Sequence, residues 1–331
     1  MGTYGPVMPF DDVLGQMAAV ETLERALTSG KIHHAYRFEG PVGVGKEYAA
    51  LRLARALVCT QGLSAMGCGD CSACRRALSF SEGPPEVPQH PDIVLVARGL
   101  YTPHVISAKE TAGISVEQIR RVVLGRSHLP PHEAERLVFI IRDADELGQS
   151  AANALLKTLE EPHSGTHFIL LTSRPQCLLE TIRSRTQAVR FGTLPDSIIK
   201  HLLEKRGLAP QLVEVAAGSM TAAISLADPE QSERMNTFAS GLSKAMGSAD
   251  ARAALEFAAD LPKDKTSLKS NLHHTAQLFS IEARKSPTSQ TARDQASKYL
   301  LVQEALAQLD RNVSQQLVME ALVLRLRRQS T

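Results

Sequence analysis

A short glycine-rich stretch places the strongest constraint on how this chain can fold. Residues 40–47 read Gly-Pro-Val-Gly-Val-Gly-Lys-Glu and follow a strand-like run at 36–39. The next run, 48–58, is rich in Ala and Leu and has helical character. Glycines between a strand and a helix let backbone N–H groups turn toward phosphate oxygens, and a lysine there reaches the outer phosphates. The pattern predicts a phosphate-binding loop (P-loop) whose nucleotide-binding residues are Gly40, Gly43, Gly45 and Lys46.

The position after Lys46 departs from the usual pattern of this loop. A Ser or Thr hydroxyl normally stands there and binds Mg²⁺, whereas this chain has Glu47. Its carboxylate brings negative charge toward a triphosphate, and like charges about 4 Å apart repel by ~1 kcal/mol in water and by several times that in a drier site. We therefore expect no ATP hydrolysis. Nucleotide binding without hydrolysis and a purely structural loop both stay open.

Hydrolysis also needs a carboxylate at the end of a buried strand, beside the phosphates. The apolar run 138–141 is followed by Arg142, and only then by Asp143, Asp145 and Glu146. A shift of one residue would make Asp143 the metal carboxylate and Asp145 or Glu146 the base. Strand alternation opposes that shift, because moving by one residue turns a side chain to the other face of the sheet.

Four of the five cysteines lie close together, at Cys59, Cys68, Cys71 and Cys74. In a cytosolic protein such clustering indicates metal ligation rather than disulfides. Four thiolates suit tetrahedral Zn²⁺ and leave no position open for water, so we predict a structural zinc site. An iron–sulfur cluster and unligated thiols are the alternatives, although the Cys-Pro that ends the ferredoxin run is missing. Cys177 stands apart and is expected to be an inert thiol.

Strands that alternate with helices predict an α/β fold for the first part of the chain. Apolar runs of the kind seen in buried parallel strands occur at 92–97, 136–141 and 167–172, with a shorter one at 187–191. Helical patterns lie among them at 13–28, 115–125 and 153–161. A Ser115–Gln118 capping box is an option at the start of the second of these helices. The order predicts a three-layer, mostly parallel sheet through about residue 192.

The pattern changes after residue 195, where strand-like runs disappear. Residues 196–227 read as a small helical unit, and from about 234 the chain is helical to its end. Residues 100–111 carry no pattern and are interpreted as an inserted hairpin. The predicted division is therefore 1–193, 194–235 and 236–331.

Composition narrows the class of protein further. The 37 basic and 35 acidic residues leave a net charge of +2, which does not favour a dominant nucleic-acid-binding surface. There is no Trp, so platforms for base stacking are not expected. The sequence has no run of ~18 apolar residues, so no membrane span is expected. Residues 1–12 do not resemble a signal peptide. We expect a cytoplasmic protein.

The triplet Ser184-Arg185-Thr186 lies between the fourth and fifth predicted strands and also bears on nucleotide chemistry. An Arg near the end of a sheet, next to a subunit boundary, can serve as an arginine finger for a neighbour's γ-phosphate. By chemistry alone, a structural or solvated Arg185 is the more common interpretation.

Several stretches occur in an order typical of one family. They are 10–16 (Phe-Asp-Asp-Val-Leu-Gly-Gln), 34–36 (His-Ala-Tyr), the P-loop, the four cysteines, 153–162 (Asn-Ala-Leu-Leu-Lys-Thr-Leu-Glu-Glu-Pro) and Ser184-Arg185. Together they resemble the bacterial DNA polymerase III clamp loader, an AAA+ family. The resemblance is strong over 10–192, and 311–313 with 317–322 fit the family's helical collar more loosely. It implies an AAA+ α/β domain with a zinc module, a small helical lid domain and an all-α collar domain for oligomerisation.

Two kinds of subunit share this layout in the family. The gamma/tau type hydrolyses ATP, whereas the delta-prime type has a degenerate site and acts as a rigid stator that contributes an arginine finger. Alignment on 153–162 puts Arg142 where the ATPase subunits carry the metal-coordinating Asp, and Asp143 where they carry the catalytic Glu. Glu47 replaces their Ser or Thr, and the turn 218–222 lacks the Arg that senses nucleotide. These departures favour the delta-prime type, and Ser-Arg-Thr in place of the family's Ser-Arg-Cys still keeps Arg185.

The resemblance implies a mechanical role with no or negligible ATP hydrolysis. Arg185 would act in trans on a nucleotide held by a neighbouring subunit while a sliding clamp is loaded on primed DNA. The expected partners are gamma/tau-like and delta-like subunits, with the clamp and DNA reached through the complex. A gamma/tau-like ATPase and a zinc-dependent DNA-binding module are the alternatives. The second is the weaker, because Arg75 and Arg76, opposed by Asp70, would neutralise few phosphates.

Overall fold

The structure is a computed structural model that divides into two compact units, Met1–Thr193 and Leu194–Thr331. It describes residue 10 and residues 12–63, 67–101, 113–248, 251–260, 264–285, 289–310 and 313–330. Most of the predicted hairpin at 100–111 lies outside the described residues, as do Arg311 and Asn312 of the collar motif. The predicted division into three domains stays a prediction, and residues 235 and 236 lie within one continuous helix.

The first unit is built on one five-stranded sheet in which every pair of neighbouring strands is parallel. The strands are β1 (Ala35–Glu39), β2 (Ile93–Val96), β3 (Leu137–Ile141), β4 (Thr166–Thr172) and β5 (Gln187–Arg190). Their order across the sheet is β2-β3-β4-β1-β5, so the first strand lies between the fourth and the fifth. The predicted parallel α/β sheet is confirmed.

Helices cover both faces of this sheet. They are α1 (Met17–Ser29), α2 (Lys46–Leu57), α3 (Ser72–Leu78), α4 (Val116–Gln118), a π-helical turn (Ile119–Leu124), α5 (Gly125–Ser127), α6 (Gln149–Glu160) and α7 (Glu180–Ser184), with 3-10 turns at Ala144–Glu146 and Pro175–Cys177. The Ser115 side chain accepts the backbone N–H of Gln118 at 3.2 Å and caps α4, which is one of the two bonds of the predicted capping box. The Gln118 side-chain amide donates instead to the Ala97 carbonyl oxygen at 2.6 Å. The π turn is not visible in the sequence pattern, which reads as one ordinary helix.

Alternation along β3 assigns side chains to the two faces of the sheet. Leu137, Phe139 and Ile141 join one hydrophobic cluster with residues of α6 and α7, and Phe139 stacks on Phe168 at 5.1 Å between ring centroids. Val138 and Ile140, also fully buried, therefore point to the opposite face, where α2 packs. Burial of such side chains contributes about 1.5–3 kcal/mol each. The same alternation decides which residue just beyond β3 faces the P-loop helix.

The described residues of the second unit form helices and the turns that join them. Its helices are α8 (Asp196–Lys205), α9 (Val213–Ala216), α10 (Met220–Ala227), α11 (Pro229–Gly247), α12 (Ala251–Ala259), α13 (Lys265–Lys285), α14 (Gln290–Asp310) and α15 (Gln315–Ser330), with a 3-10 turn at Pro210–Leu212. Phe238 and Leu242 of α11 pack into one core with residues of α13, α14 and α15. Among the described residues of the chain, no helix has the length and apolar character that a membrane span needs.

Candidate functional site

The P-loop connects the carboxyl end of β1 to α2, as its sequence predicts. Gly45 caps α2 in the left-handed region, with φ 98°, which glycine adopts without strain. A Cβ on Gly40 would lie 2.3 Å from the carbonyl oxygen of Phe191, so only glycine fits against the end of β5. The loop backbone thus has the conformational freedom that a phosphate cradle requires.

Lys46 does not extend into open space beside this loop. Its Nζ donates to the carbonyl oxygens of Gly40 at 2.6 Å and Pro41 at 2.5 Å. Burial lowers the pKa of Lys46, and the charges of Asp143 and Asp145 oppose that shift. The ammonium group is therefore satisfied by the loop's own backbone.

Glu47 and Arg142 form an ion pair between α2 and the end of β3. Arg142 directly follows Ile141, and strand alternation turns its side chain to the face on which α2 lies. Both side chains are about one third exposed, and the Arg142 Nε atom is buried without a partner. The carboxylate and guanidinium neutralise each other where an Mg²⁺–nucleotide site has a hydroxyl and a carboxylate. Paired with each other, these two residues do not fit a Mg²⁺ ion bound beside the loop.

The acidic residues that follow Arg142 are Asp143, Asp145 and Glu146, and each has a different environment. Asp143 has a left-handed backbone, with φ 46°, and begins a 3-10 turn. Burial raises the pKa of the Asp143 carboxyl group, and the negative charge of Asp145 raises it further. The positive charges of Arg142 and Lys46 oppose this shift. The Asp145 side chain is almost fully buried, accepting Thr172 Oγ1 at 2.6 Å and Arg174 Nε at 2.8 Å. Asp145 therefore holds the end of β4, and Glu146 ends the turn.

The structure adds Gln16 to the site, although the sequence does not identify it as a site residue. Its buried side chain donates to the carbonyl oxygens of Val44, at 3.1 Å, and Gly192, at 2.8 Å, and accepts the N–H of Gly192 at 3.0 Å. It thereby ties the P-loop to the segment that leaves β5. Its position in the family-like stretch 10–16 is the sequence signal, but the contact to Gly192 spans 176 residues and leaves no local pattern.

The four predicted cysteine ligands come together in space. Their sulfur atoms all lie within 4.8 Å of one another, and those of Cys68 and Cys74 are 3.9 Å apart. Tetrahedral Zn²⁺ with Zn–S bonds of about 2.3 Å would hold neighbouring sulfurs about 3.8 Å apart. Backbone N–H groups of Cys71 and Cys74 donate to the sulfurs of Cys68 and Cys71, at 3.4 Å each. The donor set could hold a metal ion, which would cross-link the end of α2 to α3.

Electrostatics differ among these thiols. Burial would raise the pKa of Cys71, but hydrogen bonds with Thr60 and from the Cys74 N–H outweigh it and bring the pKa to about 6. Burial raises the pKa of Cys59 and of Cys74. A bound cation would favour the thiolate at all four positions. Cys177 is exposed and lies outside this cluster.

Arg185 lies at the C-terminal end of α7, two residues before β5. Because β5 is parallel to β1, this position belongs to the amino edge of the sheet, whereas the P-loop belongs to the carboxyl edge. A strand of five residues separates the two edges by about 16 Å. Arg185 and Glu160 form an ion pair with Nη2–Oε1 at 2.7 Å. The fold therefore separates Arg185 from the P-loop of its own chain.

The parallel α/β unit with a P-loop after its first strand defines the P-loop class of folds, as the sequence predicts. Residues 15–195, more than half of the chain, match the family described as DNA polymerase III, delta subunit. The chain therefore belongs to this family of clamp-loader subunits.

Curated relatives carry the same relationship. The chain is 33% identical over 240 residues to DNA polymerase III subunit gamma/tau of Mycobacterium tuberculosis, covering 69% of this chain and 38% of the relative. It is 32% identical over 203 residues to subunit delta' of Bacillus subtilis, covering 61% of this chain and 55% of the relative. This chain thus matches between about a third and about half of those proteins' length. A solved DNA polymerase III gamma subunit-related protein of Thermotoga maritima is 17% identical, with a TM-score of 0.46, over 94% of this chain and 99% of that one.

Proposed function

We propose that this chain is a delta-prime-like stator of a DNA polymerase III clamp loader, with no or negligible ATP hydrolysis of its own. The observation that carries the proposal is the Glu47–Arg142 ion pair. An ATPase subunit uses a hydroxyl and a carboxylate to hold Mg²⁺ beside the phosphates. In this chain the residues at those two positions, Glu47 and Arg142, bind each other instead. Lys46 binds the carbonyl oxygens of the loop.

The place of Arg185 supports a role in trans. It lies at the amino edge of the sheet, about one strand length from the chain's own P-loop, so it would act on a nucleotide held by another subunit. The Arg185 side chain, which carries the guanidinium, is about one third exposed. A planar cation of this kind stabilises charge on a γ-phosphate during transfer.

The remaining parts of the proposal concern assembly. The partners would be gamma/tau-like and delta-like subunits, and the sliding clamp and primed DNA would be met through the complex. Residues 194–235 would form the lid and 236–331 the collar. Structural Zn²⁺ on the four cysteines would stiffen the α2–α3 connection. A cytoplasmic location follows from this assignment.

A gamma/tau-like ATPase is the second candidate, because the loop glycines and Lys46 persist and gamma/tau relatives match more of this chain than the delta' relative does. The zinc-dependent DNA-binding module has less support. Arg76, one of the two basic residues beside the cysteines, is paired with Glu133.

ATP turnover by the purified lone chain tests the proposal. We expect no turnover above a Lys46→Ala control, and nucleotide binding that does not increase when Mg²⁺ is added. Turnover that disappears in the Lys46→Ala variant would establish the gamma/tau-like alternative. The double variant Glu47→Thr/Arg142→Asp restores the family's residue types and should make any nucleotide binding Mg²⁺-dependent.

A further inference from the structure

The arginine assigned a role in trans is held in place within its own chain. Arg185 Nη2 contacts Glu160 Oε1 at 2.7 Å, and Nη1 donates to the Thr181 carbonyl oxygen at 3.0 Å and to Ser184 Oγ at 3.3 Å. The Arg185 and Glu160 side chains keep 35% and 45% of their surface exposed. The guanidinium is thus oriented by three acceptors and still reachable from outside.

Glu160 presents its carboxylate from a fixed point. It is the last residue of α6, and the preceding Leu159 is buried in the core of the unit. The Leu159 carbonyl oxygen lies 3.0 Å from His34 Nε2, which joins the end of α6 to the start of β1. The backbone that carries the Glu160 acceptor is therefore anchored to the sheet.

The donor count leaves room for a phosphate. A guanidinium has five N–H donors, and the three contacts use three of them. Two donors stay available for phosphate oxygens, and charge-assisted bonds from Arg to phosphate are among the stronger hydrogen bonds in proteins. An arginine that is already oriented loses less side-chain freedom when it binds.

We propose that Glu160 is the positioning residue of the arginine finger: it fixes the Arg185 guanidinium at the amino edge of the sheet for the phosphate of a nucleotide bound by a neighbouring subunit. This inference rests on the proposed trans role of Arg185. It assigns a purpose to a carboxylate in the family-like stretch 153–162 that neither metal nor nucleotide chemistry uses.

Steady-state ATPase measurements on the assembled complex test this assignment. The complex contains the ATPase subunits of the same organism, the sliding clamp and primed DNA, together with this chain as wild type, Glu160→Gln or Glu160→Ala. Glu161→Gln and Glu161→Ala are matched controls, since Glu161 is the adjacent exposed residue of the same charge. Each Glu160 variant is also made in the Arg185→Ala background, and assembly and Tm are measured for all variants.

We expect Glu160→Ala to lower kcat about two- to fivefold, the range of a partly exposed ion pair. KM for ATP and assembly should not change, and Tm should fall by no more than about 2–4 °C, the shift that loss of a partly exposed ion pair gives in a unit of this size. Glu160→Gln should fall between wild type and Glu160→Ala because its amide oxygen still accepts a hydrogen bond. In the Arg185→Ala background neither variant should lower the rate further. A merely structural residue would instead lower Tm by more than this or impair assembly, and its effect would add to that of Arg185→Ala.

Three results would overturn the inference in distinguishable ways. If Glu160→Ala matches Glu161→Ala while Arg185→Ala lowers the rate, Glu160 does not position the finger and the proposed function stands. If Glu160→Ala raises the rate, Glu160 restrains Arg185 instead of preparing it. If Arg185→Ala has no effect, the trans role itself is wrong and the inference falls with it.

Discussion

At the scale of single residues, the Glu47–Arg142 pair joins two departures from the usual nucleotide site that lie far apart in the sequence. Each position by itself conflicts with Mg²⁺ chemistry, and the structure adds that the two replacements compensate each other's charge. A contact between residues 95 positions apart has no local signature in the sequence. The alternation of β3 explains it, because it turns residue 142, and not residue 143, toward α2.

A double-mutant cycle on this pair tests that compensation. Glu47→Gln, Arg142→Gln and the double variant should give a coupling energy of about 0.5–1 kcal/mol, discounted for a pair that is one third exposed. Each single change should cost more than the double, since it leaves one charge unpaired. Urea unfolding measures these differences, with the more exposed Glu230–Arg234 pair of α11 as a control expected near 0.3–0.5 kcal/mol. Strictly additive effects at 47 and 142 would contradict the compensation.

At the scale of elements, the sequence predicts the parts whose signals are local. The five strands, the P-loop and the Cys-x2-Cys steps each leave a short pattern, and the structure brings all four cysteine sulfurs together. The π-helical turn at 119–124, the Gln16 contact to Gly192 and the Glu160–Arg185 pair leave none. They depend on packing between distant segments, which periodicity and spacing do not encode.

Removal of metal is the prediction that belongs to this scale. The purified chain should carry about one Zn²⁺, and chelation should destabilise the α2–α3 region, because metal binding to four thiolates contributes several kcal/mol to folding. Metal analysis and hydrogen exchange before and after chelation would measure this. Cys68→Ser should reproduce the loss, whereas Cys177→Ser, an exposed thiol outside the cluster, should not. A metal-free chain with unchanged exchange in that region would contradict the prediction.

At the scale of the whole molecule, histidines gather at the amino ends of the strands. His34, His90 and His167 lie just before or at the start of β1, β2 and β4, and burial lowers the pKa of each. The pKa of His167 falls from 6.5 to about 4. These three histidines are therefore protonated at lower pH in the folded chain than in the unfolded chain.

The sign of the pH dependence follows from that depression. Above pH 6.5 both states leave His167 neutral, and as pH falls toward 4 only the unfolded state takes up the proton, so stability is lost. The loss from this one residue is about 3 kcal/mol. Denaturant unfolding of the first unit between pH 7 and 4 should show it, with a smaller fall for His167→Gln and an unchanged fall for His132→Gln, an exposed histidine of the same unit. Identical pH profiles for all three chains would contradict this account.

In the proposed function, this subunit assists ATP hydrolysis by its neighbour and performs none itself. The most direct measurement is the ATPase rate of the assembled clamp loader with wild-type chain, Arg185→Ala and Arg183→Ala, the last being an exposed arginine of the same helix. The account predicts that Arg185→Ala lowers the rate by at least about tenfold, a conservative value for a finger in trans. It also predicts that Arg183→Ala does not lower the rate and that the lone chain is inert. An unchanged rate with Arg185→Ala, or turnover by the lone chain, would contradict it.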